Sequence, residues 1–215
     1  MLTLRELKKY DVQKMYQIYD QWPEIANDAY NTKIDEFDIS DTDHIVFAGM
    51  GGSGAIGDVF SSILSKTNIH VSVVKGYVLP RTVDKKTLVV VTSVSGNTDE
   101  SISILKHSKK IQCEVVAFSS DGKMEKFCKR NKIEHRNIQQ IHSPRASFSS
   151  FLYSMLSALQ PLLPIKNSDI IESIRELQKT SRNISSDNLS SENKALELAQ
   201  WMDGIPITYY PWGLN

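Results

Sequence analysis

The stretch LVVVTSVSGNT, residues 88–98, decides the fold. Its first four residues, 88–91, are all apolar and three of them are valines, which is typical of a strand covered on both faces in a parallel sheet. Its second half brings several hydroxyl side chains around a glycine, and the segment SISILKHSKK at 101–110 then repeats apolar residues at helical spacing. The stretch therefore predicts a strand, a tight polar turn and a helix.

The polar turn is predicted to bind an anion. Backbone N–H groups at the start of a helix have no partner within the helix, and they attract negative charge. Ser93, Ser95 and Thr98 add three hydroxyl groups, which suit the several oxygens of a phosphate monoester. The turn contains no lysine, so it does not resemble a Walker loop. The alternative is that a hydroxyl caps the helix and no ligand binds.

A second candidate loop, GMGGSGAIGD at 49–58, directly follows the predicted first strand HIVFA at 44–48. Its glycines match the G-x-G-x-x-G pattern of dinucleotide-binding loops. In those folds an acidic residue about 20 positions further on binds the ribose hydroxyls, but here the second strand is followed by Lys75 and Gly76. Dinucleotide binding stays an alternative, because Lys75 would suit a 2′-phosphate, although the motif alone is weak evidence.

The rest of the chain alternates strands and helices. Further strands are predicted at 69–74, 115–118 and 133–138, the last with polar residues suited to a sheet edge, and helices at 54–65, 124–130 and 147–160. This order predicts an α/β fold, a doubly wound parallel sheet flanked by helices. Ligands of such sheets bind outside the carboxyl ends of the strands, where both candidate loops lie.

Helical segments are predicted on both sides of this sheet. Residues 12–30 carry apolar side chains at steps of three and four, and they predict two short helices that meet at Pro23. After the sheet, 167–188 and 191–202 predict a helical tail, and IPITYY at 205–210 predicts a new strand.

Composition limits the classes of function. The chain has 215 residues, 40% of them hydrophobic, and equal numbers of basic and acidic side chains, 25 each, so broad binding to nucleic acid or to an acidic membrane is not expected. No segment is long and apolar enough to span a bilayer. Cys113, in a predicted strand, and Cys128, in a predicted helix, show neither metal-like spacing nor a disulfide framework. A cytoplasmic location is therefore expected, with no metal and no cofactor.

The motifs GMGGSGAIGD, SVSGNT and SPRAS, preceded by YDVQKMYQIYDQWPEIANDAY, resemble those of the bifunctional phosphoglucose/phosphomannose isomerases. That family is built from two sugar isomerase (SIS) domains, which are flavodoxin-like. The resemblance implies a domain order of a helical segment at 1–40, a SIS domain at 41–165, a helical linker at 166–203 and the start of a truncated second SIS domain at 204–215. A homodimer is also expected, because without the second domain the predicted strand at 207–210 and the apolar faces after Leu163 would lose their cover.

The resemblance also implies roles for individual residues. The sugar phosphate would be bound by the two loops, at Gly52, Ser53, Ser93, Ser95 and Thr98. Arg145 stands at the arginine of the PRA motif, which in the family stabilises an enediolate, a role that suits a guanidinium that is always charged. Val94 stands where relatives often carry a tyrosine.

The family's catalytic base and its ring-opening histidine lie in or after the second SIS domain, and none of the five histidines here matches those positions. The base is therefore expected to be missing, which would cost about 10²- to 10⁴-fold in rate. Glu100 is an unconvincing substitute, because an acid in the first turn of a helix ordinarily complements the helix dipole. Two hypotheses stay open: an aldose–ketose isomerase of glucose 6-phosphate or mannose 6-phosphate and fructose 6-phosphate, and a phosphosugar-binding module without chemistry.

Overall fold

The computed structural model of the protein describes residues 2–32 and 42–204. It contains one sheet of five strands, with bounds β1 His44–Ala48, β2 His70–Val74, β3 Thr87–Ser93, β4 Glu114–Ser119 and β5 Glu134–Asn137. The helices among the described residues are α1 Leu4–Tyr10, α2 Met15–Asp20, α3 Trp22–Asn31, α4 Gly52–Leu64, α5 Asp99–Ile111, α6 Gly122–Asn131, α7 Phe148–Ala158, α8 Asn167–Ile184 and α9 Lys194–Trp201. A short 3-10 helix, Gln160–Leu162, follows α7.

All four strand pairings are parallel, and the strand order is β2-β1-β3-β4-β5. The chain runs from β1 outward to β2, and then returns to the other side of β1 to continue through β3. A crevice forms where the direction of winding reverses, at the carboxyl ends of β1 and β3. The prediction of a doubly wound parallel sheet is confirmed, and the short β5 is the polar edge strand that was expected.

Alternate residues of the central strands face two separate hydrophobic cores. On one face, Ile45, Phe47 and Val90 pack with side chains of α4 and α7 such as Phe60 and Phe151. On the other face, alternate residues of β1, β3 and β4 pack against α5 and α6, and this set is Val46, Ala48, Val89, Val91, Ala117, Ile104, Leu105, Met124 and Cys128. Every residue of β3 is buried, as the apolar run predicted for a strand covered on both faces.

The N-terminal helices differ from the prediction in two respects. The helix α1 was not predicted, although Thr3 and Glu6 form a capping box that stabilises its first turn. The break between the next two helices lies at Gln21 and not at Pro23. Pro23 occupies the second position of α3, where its missing N–H group would have no partner within the helix. The helix α3 packs against α7 and α8, which attaches the N-terminal segment to the first core.

The helical tail is confirmed as α8 and α9, while the predicted strand at 205–210 falls outside the described residues. Cys113 was wrongly placed in a strand, because it lies between Gln112, whose left-handed conformation ends α5, and Glu114 at the start of β4. Cys128 lies in α6, as predicted. In the part of the chain described here, no helix has the length and apolar character needed to cross a membrane.

Candidate functional site

A cavity of about 490 Å³ opens at the carboxyl edge of the sheet, beyond the ends of the neighbouring strands β1 and β3. Its polar wall comes from three separate segments of the chain, namely the start of α4, the turn after β3 and the loop before α7. The residues that supply this wall are Gly52, Ser53, Ser95, Thr98 and Arg145. Five of the six residues predicted to form the site therefore meet around one cavity.

The turn after β3 depends on Gly96. This residue has φ +64°, a left-handed conformation that glycine adopts without strain. A side chain would not fit there, because a Cβ atom at Gly96 would lie 1.7 Å from the backbone oxygen of Asp121. The backbone N–H of Gly96 donates to the Ser93 carbonyl oxygen at 3.0 Å, which closes the turn. The glycine in the motif is thus required by both conformation and space.

The connection from the end of β4 into the first turn of α6 packs behind this turn and holds it. The hydroxyl of Ser120 donates to the Val94 carbonyl oxygen at 2.7 Å, and the Met124 N–H donates to the Gly96 carbonyl oxygen at 2.9 Å. The Asn97 side chain accepts from the Lys123 N–H at 3.2 Å and donates to the Ser95 carbonyl oxygen at 2.8 Å. Because these contacts come from a neighbouring strand connection, the turn is held in shape without any ligand.

The three predicted hydroxyl groups have different surroundings. The Ser95 hydroxyl accepts from the Asn97 N–H at 3.3 Å, which leaves its own hydrogen free to donate into the cavity. Thr98 is the N-cap residue of α5, but its side chain caps no backbone N–H group and instead hydrogen-bonds the Ser93 hydroxyl at 2.9 Å. Ser93 is only 2% exposed and does not line the cavity. It contacts the site through Thr98.

The glycine loop brings α4 close to the end of β1. A Cβ atom at Gly54 would lie 2.8 Å from the Gly49 carbonyl oxygen, and one at Gly49 would lie 2.9 Å from the backbone of Ser53. Close packing of strand and helix therefore explains both glycines without a dinucleotide. Lys75, the residue considered for a 2′-phosphate, forms an ion pair with Asp58 at 2.6 Å and does not line this cavity. These contacts favour the phosphosugar hypothesis over the dinucleotide alternative.

Arg145 is the single charged residue among the described residues of the cavity wall. It is exposed, and no ion pair joins it to any other residue that the structure describes. The loop that carries it is closed by Ser147, whose hydroxyl donates to the Ser143 carbonyl oxygen at 2.8 Å and accepts from the Ile141 N–H at 2.8 Å. The cavity therefore presents one free positive charge to an anionic ligand.

The remaining wall is apolar, and most of it was not predicted as part of the site. It consists of Trp22, Met50, Val94, Pro144 and Phe148. Met50, Val94 and Pro144 lie within the quoted motifs and Phe148 directly follows SPRAS, so their position in sequence was a usable signal. Trp22 comes from α3, far away in sequence, and it lies in the segment YDVQKMYQIYDQWPEIANDAY that supports the family resemblance, but nothing in that segment indicated a place in the site.

None of the five histidines lines this cavity. His44 lies in β1 and His135 in β5, where burial lowers the pKa of both imidazoles. Glu100 does not line the cavity either, and a hydrogen bond between its side chain and the Tyr77 hydroxyl raises the pKa of that hydroxyl. The described wall therefore contains no carboxylate or imidazole that could act as a general base.

The thiols and possible metal ligands lie outside this chemistry as well. Burial raises the pKa of Cys113, and it raises that of Cys128 to about 11, so neither thiol is activated as a nucleophile. Within 2–32 and 42–204, no cluster of three or more His, Cys, Asp or Glu side chains could hold a metal ion.

Comparison with known proteins identifies relatives of this chain. A bifunctional phosphoglucose/phosphomannose isomerase of Caldicellulosiruptor bescii is 30% identical over 203 residues, which cover 92% of this chain and 56% of that relative. One of Thermoplasma volcanium is 32% identical over 173 residues, which cover 80% of this chain and 52% of that relative. The chain thus spans about half the length of the curated relatives it matches.

A hypothetical protein from Thermus thermophilus, known from a crystal structure, shares the fold. The two align with a TM-score of 0.62 at 18% sequence identity, over 92% of this chain and 50% of the other. The SIS domain family matches residues 38–163, more than half of the chain, and this range contains both candidate loops and Arg145. The chain therefore belongs to the SIS domain family.

Proposed function

We propose that this chain binds a sugar phosphate in the cavity at the carboxyl ends of β1 and β3, as part of a phosphosugar isomerase. The observation that carries the proposal is the convergence of three hydroxyl groups, two helix N-termini and one guanidinium without an ion pair on a single cavity. The N-termini of α4 and α5 and the hydroxyls of Ser95 and Thr98 suit the phosphate oxygens. Gly52 and Ser53 would contact the sugar.

The substrates that we propose are glucose 6-phosphate and mannose 6-phosphate, interconverted with fructose 6-phosphate. The names of the relatives from Caldicellulosiruptor bescii and Thermoplasma volcanium support this choice. The reaction moves a proton between C1 and C2 through an enediolate. In this proposal Arg145 stabilises the negative charge of that intermediate, an interaction that grows toward the transition state and therefore accelerates the reaction.

Proton transfer requires a base within hydrogen-bond reach of C1 and C2. Because the described wall offers neither a carboxylate nor an imidazole, we propose that the base comes from outside it. The same observation favours a second candidate function, a phosphosugar-binding module without chemistry. A coupled isomerase assay on the 215-residue chain separates the two, since turnover that depends on Arg145 would support the isomerase, and phosphosugar binding without turnover would support the binding module.

Binding itself is tested by titration calorimetry with glucose 6-phosphate and fructose 6-phosphate. Removal of one neutral hydroxyl in Ser95→Ala should weaken binding by about 0.5 to 1.5 kcal/mol, or roughly two- to twelvefold. Ser65→Ala is the matched control, because Ser65 is an exposed hydroxyl residue at the far end of α4. Equal affinities for glucose and glucose 6-phosphate, or no loss in Ser95→Ala, would contradict the phosphate site.

Further proposals concern the state of the protein. We propose that it forms a homodimer, supported by the exposed apolar side chains of its last described helix, among them Trp201 at 66% exposure. We also propose a cytoplasmic location, supported by Cys113 and Cys128, which form no disulfide and would remain reduced there.

A further inference from the structure

The loop that carries Arg145 is held by the N-terminal helical segment. His142 Nε2 donates to the Gln13 carbonyl oxygen at 2.9 Å, and the Ser143 hydroxyl lies 3.7 Å from the sulfur of Met15. These contacts join residues that are separated by more than a hundred positions in sequence. The segment from Gln13 to Trp22 therefore packs against this loop and supports it.

Trp22 makes the strongest connection between the two segments, because both its side chain and its backbone carbonyl form hydrogen bonds across them. Its indole N–H donates to the Ala146 carbonyl oxygen at 2.9 Å, and its own carbonyl oxygen accepts from the Ser149 hydroxyl at 3.0 Å. The two bonds reach the residue directly after Arg145 and the first turn of α7.

The indole ring itself is held in place by other rings. Tyr19 contacts it edge-on, with ring centroids 4.9 Å apart, and Phe148 lies on another side with a centroid distance of 6.3 Å. Trp22 and Phe148 also line the cavity beside Arg145. These contacts thus hold the indole between the N-terminal helices, the cavity and the loop that carries Arg145.

The direction of the Arg145 side chain depends on this support. Its guanidinium forms no ion pair within the described part of the chain, so the loop backbone, which fixes the point from which the side chain extends, is the support that the structure shows for it. Small displacements of a charged group reduce its interaction with charge that develops at a fixed atom. We infer that Trp22 is a positioning residue, which acts through the Ala146 carbonyl to aim Arg145 at the anionic intermediate; this inference rests on the proposed function.

The test uses Trp22→Phe, which keeps an aromatic ring and removes the N–H donor. Tyr10→Phe is the matched control, because it also keeps an aromatic ring and removes a hydrogen-bond donor, at a residue of α1 that is 75% exposed. Ser149→Ala removes the hydrogen bond to the Trp22 carbonyl oxygen, and it is the variant to measure if Trp22→Phe does not fold. Two ligands are compared: fructose 6-phosphate, and 5-phosphoarabinonate, whose C1 carboxylate places a negative charge where the enediolate carries one.

Trp22→Phe is expected to weaken 5-phosphoarabinonate about tenfold and fructose 6-phosphate less than about twofold. Arg145→Ala alone should barely affect the affinity for fructose 6-phosphate. When Trp22→Phe is added to Arg145→Ala, the affinity for either ligand should not fall further, because the residue that Trp22 positions is gone. Equal losses for both ligands, or losses that add to that of Arg145→Ala, would overturn the inference, since a merely structural role predicts them.

Amide hydrogen exchange tests the positioning without any ligand. The Ala146, Ser147 and Phe148 N–H groups donate within the loop, to the Ser143 hydroxyl and to backbone oxygens. Their exchange should become about tenfold faster in Trp22→Phe and should not change in Tyr10→Phe. Unchanged exchange would overturn the inference. Absence of phosphosugar binding by the unmodified protein would instead refute the proposed function, and the exchange experiment would still decide whether Trp22 positions the loop.

Discussion

Gly96 shows how one residue controls the candidate phosphate site. A methyl group in Gly96→Ala would collide with the Asp121 carbonyl oxygen, and φ +64° is strained for any residue with a side chain. The substitution should therefore lower the free energy of unfolding by more than about 2 kcal/mol and weaken phosphosugar binding as the turn opens. Urea unfolding and calorimetry measure the two effects.

Gly76→Ala is the control for this prediction. Gly76 follows β2, its φ is not left-handed, and nothing lies within 4 Å of a Cβ atom placed there. Its substitution should change the free energy of unfolding by less than about 0.5 kcal/mol. A Gly96→Ala protein as stable as the Gly76→Ala protein would show that the turn can relax, and that its shape does not depend on this glycine.

Sequence was informative about the site where a motif follows a strand. The carboxyl ends of parallel strands meet at one edge of the sheet, so the segments after β1 and β3 had to come together. The partnership of Ser93 with Thr98 could not be predicted, because a hydroxyl that binds a ligand and one that holds its neighbour look identical in sequence. Trp22 was missed because its contact with Ala146 spans 124 residues.

At the scale of whole elements, apolar runs and the periodicity of apolar residues correctly predicted the strands of the sheet and the helices around it. The apolar runs at 44–48 and 88–91 form the buried centre of that sheet. Such runs are predicted well because a central strand covered on both faces is one of the few structures that bury every residue of a short segment. The helix α1 was missed because it has no buried residue, and so it lacks the apolar face on which the prediction depended. Its capping box was the available signal.

The strand β1 also leads to a prediction about pH. The His44 ring is 6% exposed, and its nitrogens lie 3.2 Å from the Thr87 hydroxyl and 3.3 Å from that of Ser72. Burial, followed by the neighbouring His70 ring, lowers the pKa of His44 from its ordinary value of 6.5, and the charges of Asp84 and Asp43 offset only part of this. The folded protein therefore binds fewer protons here than the unfolded chain.

A histidine whose pKa is lowered by folding contributes its full stabilisation when the pH lies above its pKa in the unfolded chain. That contribution is lost as the pH falls below this value toward the lower pKa of the folded state. The free energy of unfolding should thus decrease between about pH 7.5 and about pH 5.5. Urea unfolding at the two pH values measures the change, and His44→Gln should reduce it, whereas His107→Gln in α5 is the control outside this cluster. A pH dependence that is identical in His44→Gln would assign the effect to other groups.

At the scale of the whole molecule, the described residues bring together the binding loops of the proposed phosphosugar site, and the described wall of that site contains no base for proton transfer. Two loops at the switch point and the arginine loop meet around one cavity, and each is fixed by contacts to a different part of the fold. The relatives of this chain are about twice the length that it matches. Phosphosugar binding is therefore predicted more directly by this structure than turnover.

The last prediction concerns association between copies of the chain. Leu198, Trp201 and Met202 are 55%, 66% and 39% exposed, and they follow one another along the end of α9. Exposed apolar side chains that lie together are commonly buried in an interface, because each contributes about 25 cal/mol for every Å² removed from water. The protein should therefore sediment as a dimer at micromolar concentration.

Trp201→Glu should shift this equilibrium to the monomer, since a buried unpaired carboxylate would oppose the interface. Val12→Glu is the matched control, because Val12 is 79% exposed, precedes α2 and lies outside the α9 cluster, so its change should leave the dimer intact. Clean monomeric sedimentation of the unmodified protein would refute the homodimer. Dissociation of both variants alike would show that added charge, and not the α9 surface, controls association.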